Sequence, residues 1–285
     1  MDWSDAILLL LVLAILVLYL RLARRTRRLR QLADEANRLR HEAQATEQRN
    51  RQLKQEMTSN IAHELKTPVS SIRGYLEILL SDRPVDDDRR RHFLERSYQQ
   101  TLRLSDLIQD VSVINKLEES ADLFPLEQLD VRDVAQEVFD ELADRAAAAS
   151  VTLRNNLPPL PIRGNHELLY RIFRNLADNA LSYAGPGIDI VAETYEPLNS
   201  KFKIQNSEFH YIHFYDTGRG VPDDYLARLF DRFVRIGEGR SRADGGTGLG
   251  LSIVKHAVLF HHGEIYAKNR IPGLEFYFSL RRSEK

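Results

Sequence analysis

The 285-residue chain has no cysteine, one tryptophan and two methionines. Without thiols it forms no disulfide, zinc–cysteine site, iron–sulfur cluster or thiol nucleophile. An excess of one charge sign is also missing. Lys and Arg number 40 against 41 Asp and Glu, for a formal net charge of −1. A chain so balanced lacks the spare cations that coat nucleic-acid phosphate, and no nucleic-acid partner is expected. Long hydrophobic runs are scarce, and mean hydropathy is −0.39, which excludes a polytopic membrane protein. The 43% hydrophobic content equally excludes wholesale disorder. At roughly 150 residues per domain, the length suggests about two domains.

One apolar run does exist, at residues 6–20, with Trp3 before it and Arg21 after it. It is shorter than the ~20 residues of an ideal span, and interfacial Trp3, Tyr19 and a snorkelling Arg21 extend it. A cleaved signal peptide carries positive charge before its apolar core. Here Asp2 and Asp5 precede it, and Arg21, Arg24, Arg25, Arg27, Arg28 and Arg30 follow. That order favours an uncleaved single-pass anchor, with the bulk of the chain cytoplasmic at the inner membrane and almost nothing outside. The arginines also suit anionic lipid headgroups.

Leu29, Leu32, Ala36, Leu39, Ala43, Thr46, Asn50, Leu53 and Met57 then recur at alternating steps of three and four, with Gly and Pro absent. This is the seam of a parallel two-stranded coiled coil, and the polar Asn50 fixes register. The step from Met57 through Ile61 to Leu65 breaks the heptad. The amphipathic pattern continues to about Ser81, and Asp86, Asp87 and Asp88 supply a cap for a second helix over residues 89–117. Phe93, Leu94, Leu104, Leu107, Ile108, Val111 and Ile114 form its expected buried face. Two such hairpins in a homodimer make a four-helix bundle.

The first hairpin helix contains His63-Glu64-Leu65-Lys66-Thr67-Pro68. A proline there costs about 3 kcal/mol and loosens the preceding turn. His63 lies between Ile61 and Leu65 and is expected in solvent. A neutral imidazole is a good nucleophile, and the adjacent Glu64 can take its other proton. This segment resembles the phosphoacceptor box of sensor histidine kinases. The resemblance implies that His63 is phosphorylated and that Thr67 orients water for dephosphorylating a partner.

Beyond residue 119 the pattern reads as an α+β layer, a mixed sheet covered on one side by helices. Strands are expected at 124–131, 151–154, 188–194, 202–204, 208–215, 264–267 and 274–280. Helices are expected at 132–149 behind Asp130, at 165–182 behind Asn165 and at 251–260. Four separated pieces carry chemistry. Asn175 and Asn179 share a helix face and offer neutral oxygens suited to Mg²⁺. Asp216-Thr217-Gly218-Arg219-Gly220 gives a carboxylate that can read a purine amino group, with glycines admitting close approach. Phe230-Asp231-Arg232-Phe233-Val234-Arg235 combines aromatics and cations. Gly245-Gly246-Thr247-Gly248-Leu249-Gly250 opens a helix whose amides attract phosphate.

Together and in order, these pieces resemble the N, G1, F and G2 boxes of the histidine-kinase catalytic domain, an ATP-binding (Bergerat-type) fold shared with gyrase-type ATPases. The resemblance runs from about Thr58 to the C-terminus. It implies ATP and Mg²⁺, with Asn179 as metal ligand supported by Asn175, Tyr183 near adenine, and Asp216 reading the adenine amino group. Arg232 or Arg235 would reach the γ-phosphate from a lid spanning 230–245. Gly246, Gly248 and Gly250 would wrap the phosphates, with Phe230, Phe233, Gly218, Gly220, Thr247 and Leu249 lining the site. Two positions depart from the family: its usual lysine is Ser182 here, and the small or hydroxyl residue after the late glycine is Leu274.

The expected class is α + α/β sandwich. An N-terminal transmembrane helix (1–22) and coiled coil (23–57) precede a dimeric four-helix bundle (58–118) and a two-layer α+β ATP-binding domain (119–285). The expected function is a sensor histidine kinase passing phosphate from His63 to a cognate response regulator. A phosphatase-dominant sensor and a membrane-tethered scaffold with a degenerate ATP fold are the alternatives. The signal would enter through the span, the stalk or a membrane-embedded sensing partner. His210 and His213, three apart in a strand, face opposite ways and are poor partners for one metal. His261 and His262 at a helix end suggest a cation or cap.

Overall fold

In a computed structural model, residues 3–81, 84–119, 123–196, 208–235 and 246–283 are described. The chain divides into two compact units, Met1–Ile61 and Ala62–Lys285. The first unit is helical throughout its described residues, within α1 (Trp3–Leu80). Most side chains of the apolar run lie outside the described residues, and among the described residues no helix is long and apolar enough to cross a membrane. Of the heptad positions, Leu39, Ala43 and Thr46 are exposed and Met57 is buried. The side chains of Leu29, Leu32, Ala36, Asn50 and Leu53 lie outside the described residues.

In the second unit, the end of α1 and α2 (Asp87–Glu119) form the hairpin. Asp86 starts α2 as foreseen, its Oδ1 accepting the Arg89 N–H at 2.8 Å. The helices meet through stacked Tyr75 and Phe93, with centroids 5.6 Å apart, and through Glu64 and Arg103 at 3.6 Å. Leu107, Val113 and Ile114 are buried. Leu94 and Ile108, expected on the same buried face, are 51% and 55% exposed, beside exposed Leu76, Tyr98 and Leu102.

The α+β layer, expected to be the nucleotide layer, follows as β1 (Glu127–Asp130), α3 (Val131–Ala148), β2 (Thr152–Asn155), β3 (Pro161–Gly164), α4 (His166–Tyr183), β4 (Asp189–Thr194), β5 (Phe209–Asp216), α5 (Asp223–Leu226), α6 (Gly250–Phe260), β6 (Ile265–Asn269) and β7 (Leu274–Arg281). The main sheet runs β2-β4-β5-β7-β6, with β2 parallel to β4 and the other neighbours antiparallel. The expected strand at 202–204 lies outside the described residues. Residues 161–164, where the sequence pattern predicts no strand, form β3, which pairs with β1. Proline is tolerated there because it opens the strand of a two-stranded ribbon.

Helices α3, α4 and α6 cover one face of the main sheet. Leu168, Leu169, Ile172, Phe173 and Leu176 of α4 are all fully buried, as their three-and-four spacing requires. Phe173 packs on Phe214 and Phe278 at 6.5 and 6.0 Å. The opposite face carries aromatics in cross-strand register. His213 lies flat on Tyr277 at 4.4 Å, and Tyr195 approaches Tyr277 at 4.9 Å. His210 faces the other way, its Nε2 3.2 Å from the Pro161 carbonyl.

Candidate functional site

His63 is exposed on α1, as its position between apolar neighbours predicts. The Thr67 hydroxyl donates to the His63 carbonyl at 3.3 Å. Pro68, buried one residue on, carries no N–H, so the helix ladder is interrupted beside the histidine. Glu64 is only 24% exposed in its side chain and lies between two guanidinium groups, Arg103 at 3.6 Å and Arg235 at 3.9 Å. Arg235 belongs to the α+β layer, so the segment with the expected phosphate arginines stands beside the histidine's neighbour.

Asn165 Oδ1 accepts the Leu168 N–H at 3.0 Å and starts α4. Two and a half turns along, the Asn175 carboxamide donates to the Arg171 carbonyl at 2.8 Å. This leaves its oxygen facing the start of α6, where a Cβ on Gly250 would come within 2.7 Å of it. Asn179, one turn further and half-buried, has no hydrogen-bond partner among the described residues. Two neutral carboxamide oxygens beside a glycine-rich helix start fit a hard cation that shares phosphate oxygens. Ser182 accepts from Arg145 at 3.3 Å, and Arg145 also pairs with Asp178, so a cation from α3 stands beside the position where the family has its lysine.

Asp216 ends β5 and is buried. Its Oδ1 accepts the Gly218 N–H at 2.9 Å, and burial pushes its carboxyl above the usual range. A Cβ on Gly218 would lie 2.3 Å from the Ala184 carbonyl, and one on Gly273 would lie 1.8 Å from the Asp216 carbonyl. Asn269 and the close packing of Gly273 on Asp216 were missed by sequence reasoning. Asn269 Oδ1 accepts the Val221 N–H at 2.8 Å and its amide donates to the Val221 carbonyl, pinning the chain just after Gly220. Neither carried a signal beyond a late turn.

Phe230 packs edge-on against Phe276 at 6.2 Å, which anchors the start of the expected lid. Arg232 stands 3.3 Å from His256 Nε2, on α6. Phe233 donates its N–H to the Gly248 carbonyl at 2.8 Å. Gly248 has φ +73°, and a Cβ there would lie 2.9 Å from Phe233 Cα. The lid residues 236–245 lie outside the described residues. Tyr183 is 43% exposed, and a Cβ on Gly246 would approach its hydroxyl to 2.8 Å. Leu249 is fully buried, and Thr247 Oγ1 accepts the Leu249 N–H at 3.2 Å. Asn175 thus stands beside Gly250, Tyr183 beside Gly246 and Phe233 beside Gly248, while Gly220 lies against Asn269 of β6, Phe230 against Phe276 of β7 and Arg235 beside Glu64 of the hairpin.

His261 is the C-cap of α6, one of the two roles expected of it, and it is buried and neutral rather than a cation. Its Nδ1 lies 2.7 Å from the Ala257 carbonyl and its Nε2 accepts the Asn165 N–H at 3.1 Å, while burial lowers it to about 4.

A helical hairpin with an exposed histidine, joined to a mixed-sheet layer with a glycine-lined rim, defines a phosphotransfer module with its own nucleotide domain. Residues 53–120 match the family model of the His Kinase A (phospho-acceptor) domain, and residues 164–284 match that of the Histidine kinase-, DNA gyrase B-, and HSP90-like ATPase. The chain belongs to the sensor histidine kinases of two-component systems.

Sensor-like histidine kinase SenX3 of Mycolicibacterium smegmatis is 32% identical over 228 residues, which are 80% of this chain and 56% of that protein. Drug sensory protein A of Synechocystis is 31% identical over 232 residues, covering 80% and 35%. Histidine kinase ThkA, solved in complex with response regulator protein TrrA, shares the fold at a TM-score of 0.60 and 18% identity, over 80% of this chain and 61% of that one. This chain therefore spans 35% to 56% of the length of these two curated relatives.

Proposed function

We propose that the protein is an ATP-dependent protein-histidine kinase that phosphorylates His63 and passes the phosphoryl group to an aspartate of a cognate response regulator. The observation that carries this reading is the ion pair between Arg235 and Glu64. It sets a cation of the nucleotide rim against the residue adjoining an exposed histidine.

ATP is the substrate. Asp216 would read its adenine amino group, with Tyr183 and Gly218 beside the ring and the amides of Gly246, Gly248 and Gly250 around the phosphates. Asn179, with Asn175, would hold Mg²⁺, which would supply positive charge to offset that of the phosphates. A His63 ring nitrogen attacks the γ-phosphorus. The new N–P bond replaces the bond to the β–γ bridging oxygen, and ADP leaves. Glu64 takes the proton from the other ring nitrogen, and Arg232 or Arg235 stabilises the charge of the transferring group. Positioning and electrostatics supply most of the rate.

The exposed Leu94, Tyr98, Leu102 and Ile108 support a homodimer whose second hairpin covers them. Thr67, one turn beyond His63, supports a companion phosphatase activity toward the regulator. The complex of ThkA with TrrA supports a regulator partner of the same kind. The apolar run 6–20 followed by its arginine cluster supports a single-pass anchor at the inner membrane, with stalk 23–57, hairpin 58–118 and ATP domain 119–285 on the cytoplasmic side. Incubation with γ-labelled ATP and magnesium should label the wild-type chain and leave His63→Gln unlabelled. Equal labelling of both removes His63 from the mechanism.

A further inference from the structure

One carboxylate of the hairpin engages a group that the nucleotide phosphates would need. Asp110, on α2, accepts at both oxygens. The Thr247 hydroxyl donates to Oδ2 at 3.1 Å and the Arg171 guanidinium to Oδ1 at 3.2 Å. Both members of the Asp110–Arg171 pair are largely buried, with side chains 14% and 17% exposed. Thr247 lies inside the glycine loop, and its oxygen also accepts the Leu249 N–H, one of the amides the loop offers to phosphate. Arg171 stands one turn before Asn175, whose carboxamide its carbonyl holds.

Carboxylate and phosphate oxygens compete for the same hydroxyl and guanidinium donors, and they repel each other. We propose that Asp110 is an autoinhibitory latch: it takes the place of nucleotide phosphate at Thr247, so ATP and the hairpin compete for the glycine loop. This rests on the reading of residues 246–250 as a phosphate loop. Linkage then runs both ways. Movement of α2 that withdraws Asp110 raises nucleotide affinity, and bound nucleotide loosens the loop from α2.

Asp110→Asn in the whole chain tests the latch. The amide keeps the shape and removes the charge, and Arg171 retains Glu167 at 3.3 Å. Calorimetric titration with magnesium and a non-hydrolysable ATP analogue should show affinity raised about tenfold over wild type. Glu95→Gln, an equal charge change on an exposed residue earlier in α2, should leave affinity unchanged. Unchanged or weaker binding by Asp110→Asn overturns the latch and leaves the nucleotide reading standing. Failure of every variant and of wild type to bind the analogue overturns that reading and the latch with it. Hydrogen exchange of wild type needs no substitution: protection around Asp110 should fall when the analogue binds, and constant protection overturns the proposal.

Discussion

Protonating His261 should undo the joint between the end of α6 and the start of α4. In the fold the imidazole is neutral and satisfied at both nitrogens, donating from Nδ1 to the Ala257 carbonyl and accepting at Nε2 from Asn165. Its ring packs so closely on Gly164 that a Cβ there would lie 2.8 Å from Nε2. A second proton would sit at Nε2, aimed at the Asn165 N–H, with no acceptor. Burial accordingly lowers its pKa from 6.5 to about 4. A depressed folded value means that the contribution is complete above the unfolded pKa and is lost as pH falls toward the folded one. Between about pH 8 and about pH 5 the unfolded chain gains a proton that the fold refuses, at a cost of about 2 kcal/mol. Urea unfolding of wild type and His261→Leu across that range, followed by circular dichroism, measures the effect. The stability difference between the two should shift by about 2 kcal/mol against wild type on acidification. Parallel pH profiles would refute the buried neutral histidine.

Two further outcomes bear on the nucleotide rim. Asp216→Asn replaces a buried carboxylate that accepts from Gly218, and should weaken binding of an ATP analogue by about tenfold or more, read by calorimetry. Binding at wild-type strength would take Asp216 out of the adenine contact. Gly248→Ala forces a side chain into φ +73° and against Phe233, at a cost of about 1–2 kcal/mol. It should lower analogue affinity, measured by the same titration, and retained affinity would mean that the loop does not wrap the phosphates.

What the sequence revealed and what it hid divide by range along the chain. The caps at Asp86, Asp130 and Asn165 and the buried face of α4 were legible because each is decided within one or two turns. The four motif pieces were legible as chemistry, and the fold sets Asn175 beside Gly250 and Phe233 beside Gly248. β3 was hidden because four residues beginning with proline carry too little alternation to read. The cap role of His261 was legible at the helix end, and its burial was hidden because that depends on Asn165, 96 residues earlier in the chain. The Asp110 bracket was invisible for the same reason, its partners lying 61 and 137 residues away. Leu94 and Ile108 fit the apolar period of α2 and are exposed in a single chain, because periodicity marks the face to be covered and not what covers it.

The account stands or falls on the bond formed at His63. Phosphorus NMR of the whole chain after incubation with ATP and magnesium, repeated on His63→Gln, observes that bond directly. The account predicts a nitrogen-linked phosphate that is lost in acid, stable in base and absent from the variant. A phosphate ester, or a nitrogen-linked signal that survives the substitution, would contradict it.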